Sequence, residues 1–415
     1  MNERPVHLIV SDDLERSRLT VFFRLLLAIP HLIWLSLWGA AAVLGAIVNW
    51  VATLLVGKSP EGLHNFLAAY VRYAIHVGAY LFLAANPFPD FTGKPGYPVD
   101  VEIAPPQVQN RWKVAFRILL AIPALMIVSA LMAGSGRTSG GASTYGLAGV
   151  AATFGWFVVL AQARLPRGLR DAIAYALSYS AQLDAYLFLL TDSYPSSDPQ
   201  SALADLPSRP EDPIKLDVSD DLVRSRLTVF FRLLLSIPHL IWLTVWGIVA
   251  YLAAVVNWFA TLFRGSSPDS LHGFLAAYVR YQTHVYSYLF LIANPFPGFA
   301  GEQGSYPVEP RIDGPREQNR WKVGFRLFLA IPAVLLNSAY SALLAIVAFL
   351  GWFASLANAR MPLGMRNAGA LALRYAAQSE GYVLLLTDHY PYSGPTGATL
   401  PPLAEPSPSP LGTPV

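Results

Sequence analysis

Long apolar stretches free of charge alternate with short polar segments along the chain. Residues 25–56 and 327–359 contain no Asp, Glu, Lys or Arg. A helix rises about 1.5 Å per residue, so about 20 apolar residues cross about 30 Å of hydrocarbon. The pattern predicts an all-α integral membrane protein. Composition supports this class, since 54% of residues are hydrophobic and 13% are charged, against about 25% charged in soluble proteins.

Each apolar stretch is preceded by a segment in which apolar and polar residues alternate. The four segments are 6–10, 99–103, 214–218 and 308–312. Period-two alternation beside Pro and Asp is typical of half-buried strands. We expect these strands to lie in cytoplasmic linkers and to pair as one small sheet. Ser11 and Ser219, each followed by two aspartates, are predicted to cap the next helix.

The chain is a tandem duplication. Residues 11–36 and 219–244 differ at three of 26 positions, with an offset of 208. Each half divides again into two similar units. The motif R-x4-F-R recurs at the start of each apolar stretch, and the motifs P-x-G-L and Y-L-F recur further along the units. The predicted organisation is a first half, 1–195, with quarter-units 4–92 and 97–195; a linker, 196–211; a second half, 212–392, with quarter-units 212–300 and 306–392; and a disordered Pro-rich tail, 393–415.

Several of these strings resemble a known family. They are R-L-T-V-F-F-R-L-L-L-A-I-P-H-L-I, W-x-A-x-L, P-x-G-L and the closing Y-L-F-L…Y-P. Together they resemble the bacterial membrane family DUF4389, a domain of unknown function. The second and fourth units depart from its pattern, with Ala124 and Ala333 in place of His. The resemblance implies a membrane location and a bacterial source, and it brings no activity, substrate or catalytic residue.

The apolar stretches, of roughly 33 residues, are longer than a simple span. In the second unit a Gly-rich insert, 134–146, divides the stretch, and its polar backbone needs water or protein. We therefore predict a helical hairpin of two short arms that turns near residues 39–40. One long tilted helix is the alternative, because residues 335–345 of the fourth unit contain no turn signal.

Positive charge predicts the orientation. In the hairpin arrangement every Lys and Arg except Arg137 lies on or near one side, which the positive-inside rule makes cytoplasmic. The alternative also crosses twice per unit. Both arrangements predict a multi-pass protein of the inner membrane with cytoplasmic termini.

The last element of each unit supplies the candidate site residues. Ionisable groups at membrane depth are costly and mark transport paths, structural ion pairs or interfacial anchors. The candidates are Arg72, His76, Asp184, Arg280, His284, Arg374 and Glu380. We expect pairs between neighbouring units, Arg72 with Asp184 and Arg280 with Glu380. The spacing of His64 and His76, about 18 Å along a helix, argues against one shared metal ion.

No catalytic motif is found, and the absence of cysteine excludes thiolate chemistry. A net charge of +3 does not indicate nucleic-acid binding. We predict a non-enzymatic membrane scaffold or membrane-shaping protein, without cofactor or metal, that meets the lipid bilayer and a protein partner at its cytoplasmic face. A transporter or channel is the alternative, and a lipid-modifying enzyme comes third.

Overall fold

The fold was analysed in a computed structural model. It describes residues 5–132, 146–203, 206–209 and 211–397. Residues 134–145 of the predicted insert and residues 398–415 of the predicted tail lie outside this range. The first residues of that tail, 393–397, are described, and they pack against the last helix through bonds from Arg374 to Gly394 O and Thr396.

Fourteen α-helices and four strands lie in the described residues. In chain order the helices are α1 Arg18–Phe22, α2 Arg24–Leu27, α3 Ile29–Val56, α4 Glu61–Leu81, α5 Arg111–Ala115, α6 Arg117–Leu131, α7 Leu147–Gln162, α8 Arg167–Leu187, α9 Arg226–Phe230, α10 Arg232–Arg264, α11 Asp269–Leu289, α12 Arg320–Gly324, α13 Arg326–Asn358 and α14 Leu363–Val383. The strands are β1 Val6–Val10, β2 Val99–Ile103, β3 Ile214–Val218 and β4 Val308–Ile312. Each unit thus has a strand, a short helix, a long outer helix (α2–α3, α6–α7, α10 or α13) and a core helix (α4, α8, α11 or α14).

The short helices begin later than predicted. Ser17 occupies the N-cap of α1, and its side chain accepts from Thr20 N. Ser11 instead donates to Pro98 O, so its assignment as a cap is wrong, as is that of Ser219, which donates to Pro307 O. The reason is local: Asp12 accepts from Leu14 N and turns the chain before the helix starts.

The outer helices are continuous in three units, which makes the hairpin prediction wrong there. Segments Arg24–Val56, Arg232–Arg264 and Arg326–Asn358 each run for 33 residues. Gly39 and Gly45 do not form a turn; they lie where the helix contacts Tyr70 and Phe66 of α4. Small residues allow this close approach. In the second unit, α6 and α7 flank the insert.

The strands match the predicted segments, but they form two separate ribbons. β1 pairs antiparallel with β2, from Val6 opposite Ile103 to Val10 opposite Val99, and β3 pairs with β4 in the same way. The prediction of one four-stranded sheet is therefore wrong. Each ribbon packs on both core helices of its own half: β1 on α8 and β2 on α4, and β3 on α14 and β4 on α11.

Within each half the two outer helices run antiparallel. The start of the first lies beside the end of the second, where Arg16 N bonds to Ala163 O at 2.9 Å. The end of the first lies beside the start of the second, where Gln109 N bonds to Gly57 O at 2.9 Å. The core helices fill the space between outer helices and ribbon, and the halves meet where α13 packs on α6 and α7.

Candidate functional site

Buried arginines hold the ends of the core helices. Arg24, at the start of the first outer helix, is 2% exposed. Its guanidinium donates to Tyr80 O at 2.7 Å and to Ala85 O at 3.0 Å, and it lies 4.4 Å from the centroid of the Tyr80 ring. A cation suits the C-terminal end of a helix, where carbonyls lack partners and the dipole is negative.

The arginine lies over the tyrosine ring in every unit, and the two carbonyl bonds recur at Arg232 of the third unit. The four arginine–tyrosine pairs are Arg24–Tyr80, Arg117–Tyr186, Arg232–Tyr288 and Arg326–Tyr382. This role was not predicted from the sequence, although both partners belong to the repeated motifs. The arginine is the second of R-x4-F-R, and the tyrosine begins Y-L-F in the first three units. Recurrence of an ionisable residue inside an apolar pattern was the available signal.

A polar cluster joins α4 to β2 in the first half. His76 Nε2 lies 2.9 Å from Asp100 Oδ1, and Arg72 Nε lies 3.5 Å from the same oxygen. Gly96 N donates to Asp100 Oδ2 at 2.7 Å. The predicted pair of Arg72 with Asp184 is therefore wrong. The acid comes from β2, which belongs to the next unit. Helix periodicity does not predict contacts between a helix and a strand of another unit, so the sequence did not indicate this partner.

The second half repeats this cluster between α11 and β4. His284 Nε2 lies 2.9 Å from Glu309 Oε2, and Arg280 Nε lies 2.8 Å from Glu309 Oε1. The predicted pair of Arg280 with Glu380 is likewise wrong. His284 and Arg280 are 1% and 9% exposed, so the cluster is largely shielded from water.

The electrostatics of the first cluster favour ionised Asp100. Burial opposes its charge, but hydrogen bonds from His76 and from the amides of Gly96 and Val101 outweigh burial and lower the pKa of the carboxyl group. A carboxylate with these donors fastens the ribbon to α4. No group of three or more His, Cys, Asp or Glu side chains positioned to hold a metal ion occurs in the described residues.

The candidates in the even units lie elsewhere. Arg374 is 8% exposed and donates to Tyr392 O and Gly394 O of the chain that follows α14. Glu380 accepts from Tyr251 Oη at 2.6 Å, so it joins α14 to α10. Asp184 is half-buried in α8. The seven candidates thus fall into two Arg–His pairs bound to strand acids and three separate positions.

The outer helices present an apolar surface. Leu25, Leu44 and Leu55 are 77%, 66% and 70% exposed, while His31, Asn49 and Thr53 of the same outer helix are buried. His31 is fully buried and bonds to Tyr73 at 2.7 Å; Asn49 is also buried. The outer helices therefore carry an extended apolar surface.

Four repeated units built mainly of helices define the class of this protein. Within the described residues, three of the helices are long and apolar enough to cross a membrane. The chain belongs to the family described as Domain of unknown function (DUF4389), whose model matches residues 18–92, 143–197, 226–300 and 320–393 in tandem. No curated protein and no solved structure matches it.

Replacing Arg24 should destabilise the fold. We expect Arg24→Gln to lower the free energy of unfolding by about 3–5 kcal/mol, because it removes a buried guanidinium that donates to Tyr80 O, Ala85 O and Asn86 Oδ1. Urea unfolding in detergent, followed by tryptophan fluorescence, measures the change. The exposed Arg18 lies six residues earlier, and Arg18→Gln, the control, should cost about 0.5 kcal/mol or less. Equal losses in both variants would contradict the anchoring role.

Acid should weaken the Asp100 cluster. Since the pKa of Asp100 is lower in the fold than in the unfolded chain, where it is about 3.9, its contribution is complete above that pH and is lost as pH falls through the folded value. We expect Asp100→Asn to cost about 1–3 kcal/mol at pH 7, and less at pH 2–3. Unfolding curves from pH 7 to 2 test this. A difference between wild type and variant that does not shrink with acid would refute it.

Proposed function

We propose that this protein is a non-enzymatic membrane scaffold whose outer helices lie lengthwise in one leaflet of the bilayer. The observation that carries the proposal is the position of the ribbons alongside the core helices. This observation restricts the orientation of every helix packed on them, and the apolar exterior then identifies the side that meets lipid.

The first step concerns β2, which runs along α4. Asp100 bonds to His76, Val101 O accepts from Arg72, and Ala104 O lies 3.1 Å from His64. A two-stranded ribbon leaves backbone groups on its outer edges without strand partners, and hydrocarbon cannot satisfy them. A core helix that crossed the bilayer would carry the ribbon into hydrocarbon. We infer that α4 lies parallel to the membrane, in the polar layer.

The second step extends this orientation to the outer helices. The first outer helix follows α4 closely: His31 meets Tyr73, Gly39 meets Tyr70 and Gly45 meets Phe66. An outer helix that follows a helix parallel to the surface is itself close to parallel. Its length of 33 residues, about 50 Å, suits this placement better than a perpendicular span of about 30 Å.

The third step is the contrast between the two faces. The second ribbon carries an exposed ion pair, Arg311 with Asp217, and Glu102 of the first ribbon is exposed. The outer helices expose leucines such as Leu233 and Leu252, at 75% and 65%. One side therefore suits water and the other suits acyl chains, which corresponds to insertion into a single leaflet. The positive-inside rule makes the ribbon side cytoplasmic, with both termini on it.

Insertion into one leaflet supports a membrane-shaping role. Four outer helices displace lipid on one side only, and this asymmetry favours curvature. A transporter needs a path between the two sides, whereas the two Arg–His clusters are closed by strand acids on the water-facing side. A bacterial inner membrane is the proposed location, and the exposed ribbons are the surface offered to a protein partner.

Cysteine labelling tests the orientation. The chain has no cysteine, so Glu15→Cys and Lys58→Cys, which replace exposed residues near opposite ends of the first outer helix, report unambiguously. An in-plane helix should place both within reach of an impermeant maleimide from the same side, the cytoplasmic side of inverted vesicles. Leu44→Cys, in the apolar exterior, is the control that should stay unlabelled. Labelling of Glu15→Cys and Lys58→Cys from opposite sides would reject the in-plane orientation.

Reconstitution tests the function. Protein added to preformed liposomes should make them smaller or tubular without releasing a trapped solute, because the apolar wedge occupies one leaflet. Leu44→Asp with Leu252→Asp places charge in that wedge and should abolish the change in shape. Electron microscopy and dye release, measured on the same samples, give the result. Selective solute flux in vesicles of unchanged shape would favour the transporter instead.

A further inference from the structure

A basic pocket lies on the ribbon side of the second half. Its volume is about 410 Å³, and β3, α14, the linker and the chain after α14 line it. Three of its basic residues, Lys215, Arg366 and Arg374, form no ion pair within the described part of the chain. Asp212 also lines the pocket, but it is bound by Arg209 at 3.1 Å. The pocket therefore carries excess positive charge.

Arg374 is the most deeply placed of these cations. It is 8% exposed, and its terminal nitrogens donate to Tyr392 O, Gly394 O and Thr396 Oγ1. Its Nε has no hydrogen-bond partner among the described residues, and the same holds for the buried Nε of Arg366. Carbonyls orient a guanidinium without neutralising it. A buried charge without a counter-charge is costly, and an anion in the pocket would reduce that cost.

A comparison of equivalent positions in the two halves shows that the positive charge of the pocket occurs in the second half and not in the first. At three equivalent positions the second half has the more positive residue. Lys215 stands in place of His7, neutral Asn367 in place of the acid Asp171, and Arg374 in place of Ser178. In the first half Asp171 pairs with Arg170, the counterpart of Arg366, at 2.7 Å. Because Asn367 replaces this acid in the second half, Arg366 lacks the carboxylate that pairs with Arg170 in the first half.

A smaller pocket in the first half shares two equivalent lining positions with the basic pocket, Val6 for Ile214 and Gln182 for Gln378. Its volume is about 250 Å³, and residues such as Gln182, Ser193 and Ser196 line it, with no Lys or Arg among its described residues. The first half adopts the same fold with His7 and Ser178 at the positions of Lys215 and Arg374, so the fold alone does not require these cations. Three changes of one sign around one cavity indicate a ligand.

We propose that the pocket of the second half binds the phosphate group of a small phosphorylated molecule or of a lipid headgroup. Guanidinium groups bind phosphate oxygens in pairs, and an ammonium group supplies a further point charge. Apolar side chains, Leu206, Ile214 and Leu371, form part of the wall and offer contact to the organic portion of such a ligand. The site is defined by these lining side chains, so it does not depend on the orientation of the protein in a membrane.

Calorimetric titration of the full chain in detergent with inorganic phosphate tests the site. We expect saturable binding of one phosphate per chain, and at least tenfold weaker binding in Lys215→Gln and in Arg366→Gln. Arg374→Ser restores the residue type of the first half and should abolish binding. Because Arg374 also holds the chain after α14, the other two variants keep the test valid if this one does not fold. Arg311→Gln, a change in an exposed ion pair of the ribbon, is the matched control and should bind as wild type.

The source of the phosphate is separated by two further titrations. Glycerol 3-phosphate is tested in detergent, and phosphatidic acid is tested in nanodiscs against a neutral lipid. Either ligand supports the site if Lys215→Gln and Arg366→Gln weaken its binding, and the tighter one identifies the source. Absence of saturable phosphate binding, or binding that neither variant weakens, overturns the proposal, since it would show an adventitious ion only.

Discussion

The fold depends on the contact between a buried guanidinium and the carbonyls that end a core helix. Arg24 joins the start of an outer helix to the last turn of α4, and Arg232 makes the same bonds at the end of α11. In the even units Arg117 and Arg326 lie over the corresponding tyrosine and donate to Thr191 O and Thr387 O, just beyond the end of the core helix. An arginine excluded from water needs several acceptors in fixed positions, and a helix C-terminus provides them together with a favourable dipole. Since each contact links two elements about 60 residues apart, it sets the distance between the outer layer and the core of each unit.

The contacts between units are made differently. Backbone bonds join the start of one outer helix to the end of its neighbour, as between Arg16 and Ala163. The ribbons add a second link, because β2 belongs to the second unit yet carries Asp100 to His76 of the first. Duplication therefore produced pairs of units that complete one another. It also allowed the copies to diverge, as at Ser178 and Arg374, where one half is neutral and the other is charged.

The arrangement of layers connects the fold to the proposed placement in a membrane. A ribbon with charged residues on its outside lies on one face of the core helices, and outer helices with exposed leucines lie on another. In the proposed placement, backbone hydrogen bonding would keep the ribbon in water and the hydrophobic effect would draw the outer helices into lipid. The two requirements act on faces of the same rigid body, so an orientation parallel to the membrane meets both.

The sequence by itself determined the repeats, the four strands and the apolar outer helices, because periodicity and charge depletion are local properties. The strand bounds at 6–10, 99–103, 214–218 and 308–312 agree with the structure for this reason. The tertiary structure decided the partners. Asp100 lies 24 residues from His76 and on a different element, so helix geometry could not relate them. It also decided that three of the outer helices are continuous. Gly39 and Gly45 allow close packing against α4, and the sequence alone does not distinguish a glycine in a turn from a glycine at a helix contact.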